Sequence, residues 1–222
     1  MIITYKGEIL AKRIFITATN TDIGKTHATK LLLKKYAQMG FRVGVFKPIE
    51  TGVITEPTDG KELLNLAQKL NPEFQVLHVN DIVPIQFSLA AAPYVANKAG
   101  AINKETLLNA LLRLEKLCDI IIIEGAGGLY VPIDKETMMI DLISYFKAKT
   151  LLITHCNLGC INDTLLSLKA LESENISYEW VLNCKNLDSN FDTVSKPYFK
   201  DRFQEIFSIN DDISKLAEKL LN

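Results

Sequence analysis

The sequence predicts an α/β fold, a doubly wound and mostly parallel sheet in a single domain over residues 1–222. Three observations carry this. Apolar runs rich in Ile, Val and Phe alternate along the chain with helical patterns, as βαβ units require. One run, Ile120 to Ile123, is unbroken isoleucine, which cannot alternate in and out and so marks a central strand covered on both faces. The length, 222 residues of which 48% are hydrophobic, suits one domain with a substantial core.

The elements follow in order. Met1–Lys12 precede the first strong strand, as either an added strand or a disordered tail. Lys12–Ala18 (KRIFITA) is a strand. After a polar loop, an amphipathic helix runs through Lys34–Met39 and stops at Gly40. Phe41–Lys47 (FRVGVFK) is the second strand, and Asp59–Leu70 a helix. Lys104–Leu117 is another helix, with Leu107, Leu108, Leu111, Leu112 and Leu114 as its apolar face. Asp119–Glu124 is the central strand, and Lys149–Thr154 (KTLLIT) and Tyr178–Leu182 (YEWVL) are two more. No pattern dominates between Lys185 and Phe207. In the tail, Ile213, Leu216, Ala217, Leu220 and Leu221 form one face of a helix packed on the domain.

Composition narrows the class. No apolar run approaches the roughly 20 residues of a membrane span, and the start MIITYKGEILAKR lacks a signal-peptide core, so a cytoplasmic protein without a membrane partner is expected. With a net charge of −1 and no basic stripe, nucleic acid is not an expected partner. Cys118, Cys156, Cys160 and Cys184 form no C-x2-C pair. His155, Cys156 and Cys160 raise a zinc reading, but reduced thiols at strand ends are the expectation.

In a doubly wound sheet, ligands bind beyond the carboxyl ends of the strands. The chemically suggestive residues gather there: the loop after Ala18, the Lys47 loop, the Glu124 loop and the His155–Asn162 segment. The first runs Ala18-Thr-Asn-Thr-Asp-Ile-Gly24-Lys25-Thr26 and opens a helix, as a phosphate loop does. Gly24 lets the backbone approach a phosphate, and N–H groups at the helix start face the anion. Lys25 can reach the β- and γ-phosphates, and the Thr26 hydroxyl can ligate Mg²⁺. The strict phosphate-loop pattern opens on glycine where this chain has Thr19, with Ala18 one place earlier. The fold is therefore expected to be of the P-loop NTPase type.

Three further segments sharpen the reading: Lys47-Pro-Ile-Glu-Thr-Gly52, Glu124-Gly-Ala-Gly-Gly128 and Leu158-Gly-Cys-Ile-Asn162. With the phosphate loop, in this order and spacing, the chain resembles the dethiobiotin synthetase family from about Arg13 to Asn183. That family is a set of ATP-dependent cyclo-ligases. They join 7,8-diaminononanoate and CO₂, with MgATP, into the cyclic urea of dethiobiotin, releasing ADP and phosphate. A carbamate and then a carbamic-phosphoric anhydride lie on the path.

The resemblance implies the following roles. Lys25 and Lys47 act in catalysis, flanking the transferring phosphoryl group from what are expected to be adjacent strand ends. Asp22, Ile23, Gly24, Lys25, Thr26, His27, Asp59, Glu124, Gly125, Ala126, Gly127, Asn183 and Cys184 hold ATP, with Asn183 facing the adenine. Thr26, Asp59 and Glu124 ligate Mg²⁺, which takes few protein oxygens and keeps several waters. Thr21 and Thr51 lie against the diamine and carbamate. Gly159, Cys160, Ile161 and Asn162 hold the substrate carboxylate at a helix start, and come from the other subunit of a homodimer. Two alternatives remain: a partitioning-type switch ATPase, and another amide-forming ligase or small-molecule kinase on the same scaffold. The first would carry a lysine five residues before Lys25, where this chain has Asn20.

Overall fold

The computed structural model describes residues 3–5, 8–98, 100–184 and 190–222. The chain opens on a ribbon in which β1 (Ile3–Tyr5) pairs antiparallel with β2 (Glu8–Leu10). Then follow β3 (Lys12–Ala18), α1 (Lys25–Gln38), β4 (Val43–Phe46), β5 (Ile49–Thr51), α2 (Thr58–Leu70), β6 (Ile85–Phe87) and α3 (Lys104–Glu115). The second half contains β7 (Ile120–Gly128), α4 (Met139–Phe146), β8 (Lys149–His155), α5 (Cys160–Ser173), β9 (Tyr178–Asn183) and α6 (Ile213–Leu221). The main sheet has the order β4-β7-β3-β8-β9, and every pairing in it is parallel. A separate parallel pair, β5 with β6, stands beside the carboxyl end of β4.

The four isoleucines explain why β7 is central. Ile120 to Ile123 are buried between β4 and β3. Each such side chain stabilises the fold by about 1.5–3 kcal/mol relative to exposure. On one face, Glu124 of β7 meets Thr29 of α1. On the other, Phe146 of α4 packs edge-on to Phe46 of β4, with centroids 6.1 Å apart. The Arg13 side chain on β3 is buried in an ion pair with Glu115 of α3 and also donates to the Phe146 carbonyl at 2.7 Å.

Three expectations are corrected. Lys25 and Lys47 do not come from adjacent strand ends, because β7 lies between β3 and β4. Cys156 and Cys184 are not free thiols: they are joined as a disulfide, since they follow the neighbouring strands β8 and β9 and their Cα atoms lie 5.0 Å apart. Central strand β7 runs four residues past Glu124, to Gly128. The tail does pack on the domain, with Leu216, Ala217 and Leu220 buried and the Tyr36 hydroxyl donating to the Ala217 carbonyl at 3.0 Å. The stretch without a sequence pattern holds two short helices, Phe191–Val194 and Lys196–Arg202; residues 185–189 lie outside the described residues. Beyond them Phe207–Ile209 return beside β9, exchanging backbone hydrogen bonds with Leu182 at 2.9 Å.

Candidate active site

A cavity of about 860 Å³ opens at the carboxyl ends of the sheet strands. Its walls come from the loop between β3 and α1, the end of β4, β5, the start of α2, the end of β7 and the end of β9.

The phosphate loop is shaped by Gly24, which precedes α1 with φ +106°, a left-handed conformation that suits glycine. A β-carbon there would lie 2.1 Å from Asn183 Nδ2. That amide donates to the Ile23 carbonyl at 2.7 Å, so the end of β9 is fastened to the loop. Lys25 is buried and its Nζ donates to the Asn20 carbonyl at 3.3 Å. Burial, chiefly, brings the Lys25 ammonium down to a pKa of about 8, with Lys47 adding to the effect and Glu124 opposing it.

Opposite the loop, Glu124 is 1% exposed and accepts three hydrogen bonds. Oε1 takes Thr26 Oγ1 at 3.0 Å and Lys47 Nζ at 2.7 Å, and Oε2 takes Thr29 Oγ1 at 2.7 Å. Lys47 Nζ also lies 3.3 Å from Asp59 Oδ2. Burial by itself would lower the Lys47 pKa, but Glu124, Asp59 and Glu50 outweigh it and hold the ammonium above its ordinary value. A buried carboxylate is costly without partners, and here it has three. The strand then bulges. Ile16 pairs with Glu124 but Ala18 with Gly128, so Gly125–Gly127 leave the ladder and line the cavity. Gly127, at φ +67°, has no room for a β-carbon, which would lie 2.6 Å from Val131 Cγ2.

The donor set fits a magnesium ion. Thr26, Glu124 and Asp59 are hard oxygen donors: Glu124 and Asp59 flank the Lys47 ammonium, a point already occupied by positive charge, and Thr26 hydrogen-bonds the same Glu124 oxygen that Lys47 does. Among the described residues no group of three or more His, Cys, Asp or Glu forms a metal cage. Mg²⁺ does not need one, since it binds through one or two carboxylates plus phosphates and waters.

Thr21, Asp22, Gly24, Lys25, Thr26, His27, Lys47, Thr51, Asp59, Glu124, Gly125, Ala126, Gly127, Asn183 and Cys184 all line the cavity. Ile23 does not, although its carbonyl anchors Asn183. The Asn183 amide is engaged with the loop, and His27 Nε2 pairs with Asn210 Oδ1 at 2.9 Å. Gly159, Cys160, Ile161 and Asn162 lie at the start of α5, outside the cavity; the Cys160 side chain is buried while Leu158 is 78% exposed. Sequence reasoning missed Thr29, Glu50 and Asn210. Thr29 was within reach, since it lies three positions after Thr26 on the same helix face. Asn210 carried no signal, as only the return of Phe207–Ile209 along β9 brings it to the cavity.

The parallel sheet, with a Gly-Lys-Thr loop opening α1 at its carboxyl edge, defines a protein of the P-loop NTPase class. Solved structures agree on the fold alone. A plasmid partition protein from Borrelia burgdorferi superposes with a TM-score of 0.57 at 14% identity, over 96% of each chain. The MinC:MinD cell division complex of Aquifex aeolicus gives 0.52 at 17% identity, over 94% of this chain and 86% of that one. The family model described as an AAA domain matches residues 12–209. The ATP-dependent dethiobiotin synthetase BioD of Sulfurovum sp. (strain NBC37-1) is 43% identical over 93% of this chain and 99% of its own. That of Wolinella succinogenes is 39% identical over 95% and 99%, and that of Helicobacter pylori (strain Shi470) 37% over 84% and 88%. The chain belongs to the ATP-dependent dethiobiotin synthetase family.

Proposed function

We propose that this protein closes the cyclic urea of dethiobiotin from 7,8-diaminononanoate, CO₂ and MgATP, and that residues 1–222 act as one catalytic domain. The observation that carries the reading is Lys47, held at 2.7 Å from Glu124 on the wall of the cavity shared with the phosphate loop. A carbamate and a triphosphate are both anionic, and bringing them together demands positive charge from two sides. Lys25 supplies it from the phosphate loop and Lys47 from the acceptor side.

The chain's residues then act as follows. Backbone N–H groups of residues 22–27 and the Lys25 ammonium hold the triphosphate. Thr26, Asp59 and Glu124 hold Mg²⁺, which, when bound, neutralises phosphate charge. Thr21 and Thr51 fix the diamine. One amine adds to CO₂ and loses a proton, giving a carbamate oxygen that attacks the γ-phosphorus as ADP departs. The other amine attacks the carbonyl of the mixed anhydride, expels phosphate and gives up a proton, closing the ring. Phosphoryl transfer of this kind asks mainly for position and charge neutralisation. Asn183, Cys184 and His27 border the nucleoside end of the site.

The active unit in this reading is a homodimer. Gly159–Asn162 of one subunit hold the substrate carboxylate for the other. Exposed apolar side chains support it: Leu158, Tyr130 at 63% and Leu166 at 60%. Tyr130 and Leu166 border a second cavity of about 620 Å³ that suits an aliphatic chain. The setting is cytoplasmic, with no nucleic-acid or membrane partner; among the described residues no helix is long and apolar enough to cross a membrane. The test is ADP release measured with each substrate omitted in turn. Turnover should require both diaminononanoate and bicarbonate, and turnover indifferent to either overturns the reading.

A further inference from the structure

The chemistry proposed above uses Lys47, Asp59 and Glu124. It does not use Glu50, a carboxylate only 7% exposed on the same wall of the cavity. Its place in the structure is specific. Helix α2 starts at Thr58 after Pro57, which has no side-chain oxygen to cap the first turn. The first N–H groups of a helix need acceptors, and Glu50 supplies them from β5. Its Oε1 accepts the Asp59 N–H at 3.1 Å and its Oε2 the Gly60 N–H at 2.9 Å. Gly60 makes the close approach possible: a β-carbon there would lie 2.2 Å from Val83 Cγ2 and 3.2 Å from Glu50 Oε2. The carboxylate therefore sits astride the helix start, where the dipole favours negative charge. One of the two residues it grips by the backbone is Asp59, whose own carboxylate reaches to 3.3 Å from Lys47 Nζ.

We propose that Glu50 is a positioning residue, which clamps the first turn of α2 to β5 and so sets the Asp59 carboxylate where a cation shared with Glu124 requires it. Asp59 is half-exposed, and the hydrogen bonds to Glu50 fix the backbone from which its side chain springs. Without that clamp the Asp59 carboxylate samples a wider volume, and the cation site loses one preformed ligand. The inference rests on the reading of Asp59 as a magnesium ligand.

Manganese separates this role from a merely structural one, because its binding to the protein–ADP complex is read directly by electron paramagnetic resonance. Losing a charge-assisted hydrogen bond of this kind should weaken Mn²⁺ binding by about 10-fold to 100-fold in Glu50→Ala. Turnover at saturating Mg²⁺ should stay within a few-fold of the parent, so the loss lies in the Mg²⁺ requirement. Glu50→Gln, which keeps one acceptor oxygen, should fall between, and serves as the test if Glu50→Ala does not fold. On an Asp59→Asn background, Glu50→Ala should cost little more, since the ligand it positions is already gone. A normal loss in Asp59→Asn with a full additional loss from Glu50→Ala overturns this inference alone. Unchanged Mn²⁺ affinity in Asp59→Asn overturns the metal reading itself, and this inference with it.

Discussion

Replacing Lys47 with methionine keeps most of the side-chain volume and removes one ammonium from between two carboxylates. Two consequences follow, and they can be measured apart. The first is stability. Lys47 is 3% exposed and Glu124 1%, so neither charge is solvated when the other is lost. Unit charges about 4 Å apart attract by about 4 kcal/mol at an effective dielectric of about 20, and the desolvation of both groups offsets much of that. Removing one partner instead strands a buried charge, at a cost of about 3–5 kcal/mol. Lys47→Met should lose that much in urea denaturation, and adding Glu124→Gln should recover most of it, because the one carboxylate left without Lys47, Asp59, is half-exposed and solvated. The second consequence is chemical. Removing a preorganised charge at a developing transition state costs a factor of about 10²–10³ in turnover, and Glu124→Gln should not restore it. The assay is single-turnover ADP formation with diaminononanoate and bicarbonate, under conditions where the variant is folded, beside titration with a non-hydrolysable ATP analogue. Lys47→Met should bind the analogue nearly normally, whereas Lys25→Met should lose both binding and turnover. Turnover of Lys47→Met within a few-fold of the parent would make Lys47 a bystander. A double variant no more stable than Lys47→Met would refute the electrostatic account.

Three further outcomes are expected. Lys25 titrates at about 8 in the free protein, and a bound triphosphate must raise that value. Nucleotide affinity should therefore be level below about pH 8 and fall above it, with proton uptake on binding. Calorimetry in buffers of different ionisation heat should detect that uptake, and its persistence in Lys25→Met would count against the assignment. Mixing inactive Lys47→Ala chains with inactive Asn162→Ala chains should restore activity, because a hybrid dimer holds one intact site; no recovery despite demonstrated subunit exchange would sink the shared-site arrangement. Gly24→Ala should weaken analogue binding by about 10-fold or more, since its β-carbon would lie 2.1 Å from Asn183 Nδ2 at a left-handed φ. Undiminished affinity in a folded variant would show that the loop does not need this conformation.

Much of the molecule was legible in the sequence because its signals are local. The Gly-Lys-Thr turn demands a strand before it and a helix after it, and Lys12–Ala18 and Lys25–Gln38 supply both. The four isoleucines could only be a strand covered on both faces. The apolar stripe of the tail predicted a helix packed on the domain, because a narrow apolar face has to be covered; that the partner is α1, through Tyr36, came only with the tertiary structure. What sequence order could not supply was which strands neighbour one another. Pairing in a parallel sheet is decided by contacts between residues far apart in the chain, made through crossover helices. That is why β7 was not foreseen between β3 and β4, and its position brings Glu124 between Lys47 and Thr26. For the same reason the meeting of Cys156 with Cys184, and the return of Phe207–Ile209 that presents Asn210, belong to the tertiary structure alone. Glu50 shows the division within a single residue. The sequence placed it two positions before Gly52 in a strand-end loop, but only the docking of α2 turned its carboxylate from an exposed charge into a buried clamp, because a helix start without its own cap takes an acceptor from whatever lies nearest.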